Sequence, residues 1–140
     1  MNKKNYLIYG LWLIALISTL GSLFFSEIME FPPCVLCWYQ RIAMYPLVFI
    51  FFVGAIKEID SVLYFSAPLV VCGWILSVYH NLLHYDIIPE SASPCLQGVS
   101  CSTVYINWFN FITIPILSFI AFTILAVLLG LLKREMKSEK

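Results

Sequence analysis

Charge is what this sequence has least of. Lys, Arg, Asp and Glu make up 11% of 140 residues, eight basic against eight acidic, so the formal net charge is zero. So few cations give no basic surface for a nucleic acid, and no nucleic-acid partner is expected. Hydrophobic residues reach 61%, with a mean hydropathy of +0.90. A water-soluble fold would have too little polar surface at that composition, and the bilayer is the natural solvent. Repeats, low-complexity tracts and inter-domain linkers are also missing, which leaves one domain over residues 1–140. No flavin, NAD or haem motif occurs. C-V-L-C-W lacks the His that covalent haem attachment needs.

What is present is length of apolar chain. Four stretches carry almost no charge: Tyr6 to Phe25, Trp38 to Ile56 (with Arg41 near its start), Val62 to Leu83 and Phe111 to Leu132. A spanning helix needs about 20 mostly apolar residues, and all four qualify. The expected fold is therefore an all-α, four-helix transmembrane bundle. Lys3 and Lys4 before the first run imitate a signal peptide, but the run is too long and no A-x-A-like site follows, so the helix is expected to stay.

The few charges are unevenly placed. Lys3 and Lys4 precede the first span, Lys57 lies between the second and third, and Lys133, Arg134, Lys137 and Lys140 follow the fourth. The positive-inside rule then puts both termini in the cytoplasm of a multi-pass cell-membrane protein. Loops 26–37 and 84–110 face outward. Trp38, Tyr39, Tyr79, Tyr85, Tyr105 and Trp108 would anchor the outer ends of the spans, and Tyr6, Tyr9 and Tyr64 the inner ends. Pro46 should kink the second helix, whereas Pro115 falls early in the fourth, where helix N–H groups lack partners anyway. Gly73 and Ser77 form a small-xxx-small pair, a seam for close packing.

Four of the five cysteines fall on the outward side, in two pairs: Cys34 and Cys37 in C-V-L-C, Cys95 and Cys101 in S-P-C-L-Q-G-V-S-C-S. That compartment permits disulfides. Cys72, inside the third span, reads as a small buried hydrophobe. For the pairs, three chemistries stay open. A structural staple is one, but C-x-x-C closes a very small ring and gains little loop-closure entropy. A metal site from Cys34, Cys37, His80 and His84 is another. The two histidines share a helix face, yet the run H-N-L-L-H has no Glu after the first, and Cys95 and Cys101 are left unexplained. The third is redox exchange: vicinal thiols beside a helix N-terminus have a lowered pKa, and the thiolate of Cys37 would sit at the positive end of the helix dipole. Arg41, one turn after Cys37, is costly at membrane depth unless paired or functional, and would stabilise an anion there. His84 is a candidate donor to a bound polar headgroup.

C-V-L-C-W-Y-Q-R resembles the C-V-L-C-x-Y-x-R signature of the DsbB family of membrane disulfide oxidoreductases. The second cysteine pair, the four spans and T-I-P-I-L-S-F-I-A-F at the start of the last helix fit as well. The short spacing between Cys95 and Cys101 looks like the compact Gram-positive BdbC type. The resemblance implies a protein dithiol:quinone oxidoreductase that reoxidises an extracytoplasmic, thioredoxin-fold, DsbA-like thiol oxidase and passes the electrons to membrane quinone, menaquinone or ubiquinone, supporting disulfide formation in secreted proteins. Quinone would be its electron acceptor, with no metal, flavin or haem. It implies that Cys95 forms the mixed disulfide with the partner, that Cys101 exchanges with Cys34, that Cys37 faces the quinone, and that Arg41 holds the quinone oxygen. The vitamin K epoxide reductase type also combines C-x-x-C with a quinone, but its redox pair lies late in the chain rather than opening the second helix.

Overall fold

The computed structural model describes residues 2–57, 60–96, 98–104 and 112–138. Tyr105, Trp108, Phe111 and Lys140 lie outside them. Four helices dominate: α1 (Lys3–Leu23), α2 (Val35–Lys57), α3 (Val62–His84) and α4 (Ile114–Ser138). All four are long and apolar enough to cross a membrane. At 1.5 Å per residue they measure roughly 31 to 38 Å, against about 30 Å of hydrocarbon.

Each helix packs on two neighbours, α1 on α2 and α4, α3 on α2 and α4, which gives a four-cornered bundle. Its main apolar cluster includes Leu11 and Ala15 of α1, Leu47 and Phe51 of α2, Val70 of α3 and Phe122, Leu125 and Leu129 of α4. The outer faces are as apolar as the inner: Ile17, Phe49, Phe65, Ile75 and Val127 are exposed. Helices hydrophobic all round belong in lipid. Cys72 is on that outer face, not buried in the bundle as its apolar surroundings in sequence suggested. Its neighbours are apolar because the lipid-facing side is apolar too.

The small-residue seam is real. Gly73 and Ser77 are both buried, and the Phe122 ring occupies the space a Cβ on Gly73 would need. Asn81 crosses the same interface, its amide donating to the Pro115 carbonyl at 2.9 Å. α2 continues through Pro46, and Pro115 is the second residue of α4, where its missing N–H costs nothing.

Helix boundaries differ from the hydropathy boundaries. α1 runs into a π-helical turn, Phe24–Ile28, and α4 continues past Leu132 to Ser138. Lys133, Arg134 and Lys137 thus extend the helix beyond its apolar part, where cations suit the C-terminal dipole. At that end Lys4 pairs with Asp60, and Lys3 lies 3.8 Å from Glu135, so both chain ends share one end of the bundle. All four loop cysteines are at the other.

Candidate functional site

α2 begins at Val35, three residues earlier than hydropathy indicates, and the reason is Cys34. Its carbonyl accepts the first helical bond, from Trp38 N–H at 3.1 Å, and its sulfur accepts from the Cys37 N–H at 3.3 Å. Cys34 is thus the N-cap, with sulfur in the place usually taken by a Ser or Asp oxygen. Cys37 sits in the first turn, at the dipole's positive end as expected, and Cys34 shares that end as the cap. The Cys34 and Cys37 sulfurs lie 2.9 Å apart. Their hydrogen bond is the main cause that pulls the Cys34 thiol down to about 4. Burial opposes it, and His80 and the Cys37 N–H add to it.

The second pair is joined as the disulfide Cys95–Cys101, with Cα atoms 5.9 Å apart. Cys95 sits in a short 3-10 turn, Pro94–Leu96, its N–H donating to the buried Ser93 hydroxyl at 2.9 Å. Tyr79, expected only to anchor the membrane surface, donates from its hydroxyl to the Ala92 carbonyl at 3.0 Å and ties this loop to α3. Cys34, Leu36, Leu83, Cys95 and Cys101 form one buried cluster, with Cys37 against it. The two pairs, 58 or more residues apart in sequence, meet in one place.

His80 closes the junction. It is 2% exposed, with Nε2 3.7 Å from the Cys34 sulfur and 3.3 Å from the Cys101 carbonyl. Its Nδ1 lies 3.2 Å from the side-chain nitrogen of Gln40, which is itself buried. Sequence reading missed Gln40 and weighed His80 as a metal ligand or an interfacial hydrogen-bonder, not as a partner of both cysteine loops. The available signal was an uncharged amide one turn from C-x-x-C in an apolar helix, where a polar group needs a reason.

Two cavities flank Cys37. One, about 20 Å³, is lined by Cys34, Cys37, His80, His84 and Cys101 among others, and has room for one water. The other, about 330 Å³, opens between α1, α2 and α4, and its wall includes Cys37, Gln40, Arg41, Met44, Tyr45 and Phe122. It is mostly apolar with a few polar groups, and within the size range of small-ligand sites. Arg41 is held at its edge: the guanidinium donates to the Ser22 carbonyl at 3.0 Å and lies 5.4 Å from the Trp38 ring centre. Ser22 precedes the π-helical turn, a deviation common at functional sites. Arg41 and His84 consequently face different cavities.

Of the four proposed metal ligands, the ligand atoms of Cys34, Cys37 and His80 lie within 4.8 Å of one another. His84 is outside that group among the described residues.

A family model described as "Disulfide bond formation protein DsbB" matches residues 4–132. The chain is 45% identical to "Disulfide bond formation protein C" of Bacillus subtilis (strain 168) over 139 residues, 99% of this chain and 100% of that one. It is 46% identical to "Probable disulfide formation protein C" of Halalkalibacterium halodurans over 136 residues, 96% and 99% of the two chains. "Probable disulfide formation protein C 2" of Bacillus cereus (strain ATCC 10987) is 46% identical over 126 residues, 90% of each. No solved structure matches.

Proposed function

The chain belongs to the DsbB family of disulfide bond formation proteins, and from that membership we propose that it oxidises an extracytoplasmic, thioredoxin-fold, DsbA-like thiol oxidase and delivers the electrons to membrane quinone. The observation that carries the reading is the meeting of Cys34, Cys37, Cys95 and Cys101 in one cluster, with Cys37 also in the wall of the 330 Å³ cavity. One sulfur thereby touches both the disulfide junction and a space open to a lipid-soluble molecule. Lysine placement supports both termini in the cytoplasm and the cysteines on the outer face of the cell membrane.

In this reading the partner's thiolate attacks Cys95, releasing Cys101, which attacks Cys34 of a Cys34–Cys37 disulfide and releases Cys37 as thiolate. Thiolates 2.9 Å apart repel, so one negative charge serves both sulfurs of the reduced pair. Once Cys34 is bonded to Cys101, Cys37 is the sulfur left to carry it, beside the larger cavity. A quinone ring fits that cavity in size and polarity, with the Arg41 guanidinium at its rim as hydrogen-bond donor to an oxygen and Phe122 and Met44 as apolar walls. Bound there, quinone would supply the two-electron acceptor that the chain itself lacks.

The test is quinone reduction by purified protein in detergent, with a reduced thioredoxin-fold dithiol as donor and the quinone's ultraviolet absorbance as signal. Catalytic bleaching is expected, and Cys37→Ser and Cys95→Ser should each abolish it. Full turnover in Cys95→Ser would defeat the relay.

The thiolate–imidazole cluster favours a second reading, a metal held by Cys34, Cys37 and His80. It predicts stoichiometric zinc or copper in protein purified with the pair reduced. Metal-free, fully active protein would end it.

A further inference from the structure

His80 is buried at the junction of the two cysteine pairs, and the relay described above gives it no part. A buried imidazole in such a place is held by its hydrogen bonds, and these orient the ring. The Leu76 carbonyl can only accept, and it faces the Gln40 side-chain nitrogen at 3.5 Å. That orients the Gln40 amide with its NH2 toward His80 Nδ1, 3.2 Å away. Nδ1 is then the acceptor and Nε2 carries the proton. The Nε2–H points at two groups from two different loops, the Cys101 carbonyl at 3.3 Å and the Cys34 sulfur at 3.7 Å.

We propose that His80, held in this tautomer by Gln40, is the positioning residue for exchange between Cys34 and Cys101: its Nε2–H clasps the Cys101 backbone to the Cys34 sulfur and so sets the approach of the two sulfurs. In the step it serves, the Cys101 thiolate bonds to the Cys34 sulfur, the Cys34–Cys37 bond breaks, and Cys37 leaves as thiolate. One disulfide replaces another and one negative charge moves from Cys101 to Cys37, so no oxidant is consumed. His80 takes no proton in this step. It acts by geometry, for which small misplacements are costly, and by donating to whichever form of the Cys34 sulfur is present.

The inference rests on the two-pair relay, but its test uses neither partner nor quinone, so failure of quinone turnover and failure of the clasp are separate results. In a Cys37→Ser/Cys95→Ser background only Cys34 and Cys101 remain at the junction. Equilibration with oxidised and reduced glutathione, followed by alkylation and mass spectrometry, gives their effective concentration for closing a disulfide. Adding His80→Leu is expected to lower it about tenfold or more, whereas His80→Gln, whose amide N–H can reach the same place, should stay within about threefold of the parent. The control is the Cys95–Cys101 pair in a Cys34→Ser/Cys37→Ser background, where His80→Leu should leave the effective concentration unchanged. An unaltered Cys34–Cys101 value in His80→Leu overturns the proposal. So does a His80→Gln value as low as His80→Leu, or an equal fall in both pairs, which would mean general loosening of the loop.

Discussion

Cys34 ionises as it does mainly because the Cys37 sulfur hydrogen-bonds to it from the first turn of α2. As N-cap it accepts the Cys37 N–H at the positive end of the helix, and with the Cys37 hydrogen bond and His80 its thiol is held at about 4. A depressed thiol pKa means that the thiolate persists at every pH above about 4 and is lost as pH falls through that value. Fully reduced protein should therefore show one thiolate by ultraviolet absorbance from neutral pH down to about pH 4, and Cys34→Ser should remove that acid-stable signal. Titration near the ordinary thiol range instead would show that the Cys37 thiol and His80 do not hold the thiolate. At this scale the sequence was only partly legible. C-x-x-C beside a helix start announced reactive sulfur, but the register of the helix, and so which cysteine caps it, depended on a contact through space. His80 was drawn toward His84 by their spacing, while its partners, Gln40, Cys34 and the Cys101 carbonyl, come from two other segments. Periodicity within one helix cannot display such partners.

At the scale of elements, hydropathy located the four spans because each is apolar over nearly its whole length, and it missed their ends because a helix and a bilayer need not stop together. α4 runs on through Lys133 and Arg134, and α1 through a π-helical turn. In the other direction, the small-residue spacing on α3 did foretell a contact. Gly73 lets the Phe122 ring lie directly on the α3 backbone, and a contact of backbone with ring is specified by the absence of a side chain, which sequence does show. Gly73→Leu should force Phe122 away and destabilise the bundle by about 1–3 kcal/mol, the usual cost of overpacking. Denaturant titration in detergent micelles would read it as an earlier unfolding midpoint. An unchanged midpoint would mean that α3 and α4 can separate without loss. Because Phe122 also walls the larger cavity, the same variant should weaken quinone binding, whereas a change on the lipid face such as Val127→Ala should do neither.

For the whole molecule, the consequence of the bundle is that Cys37 stands between two spaces of different character. On one side is a water-sized cavity shared with Cys34, Cys101 and the histidines, and on the other the larger apolar cavity with Arg41. In the proposed relay, exchange among sulfurs uses the first and electron delivery to quinone uses the second. If the division holds, the two functions can be damaged separately. Ala121, on α4, lines only the larger cavity and is half-buried there, far in sequence from every cysteine. Ala121→Phe should fill much of that space and raise the KM for quinone about tenfold or more, equivalent to about 1.4 kcal/mol of lost binding. Cys34–Cys101 closure against glutathione should stay at the parent value. A variant with unchanged quinone KM would place the acceptor outside this cavity. A variant that lost inter-pair exchange as well would show that the two spaces move as one, and that α4 sets the cysteine geometry as well as the cavity wall.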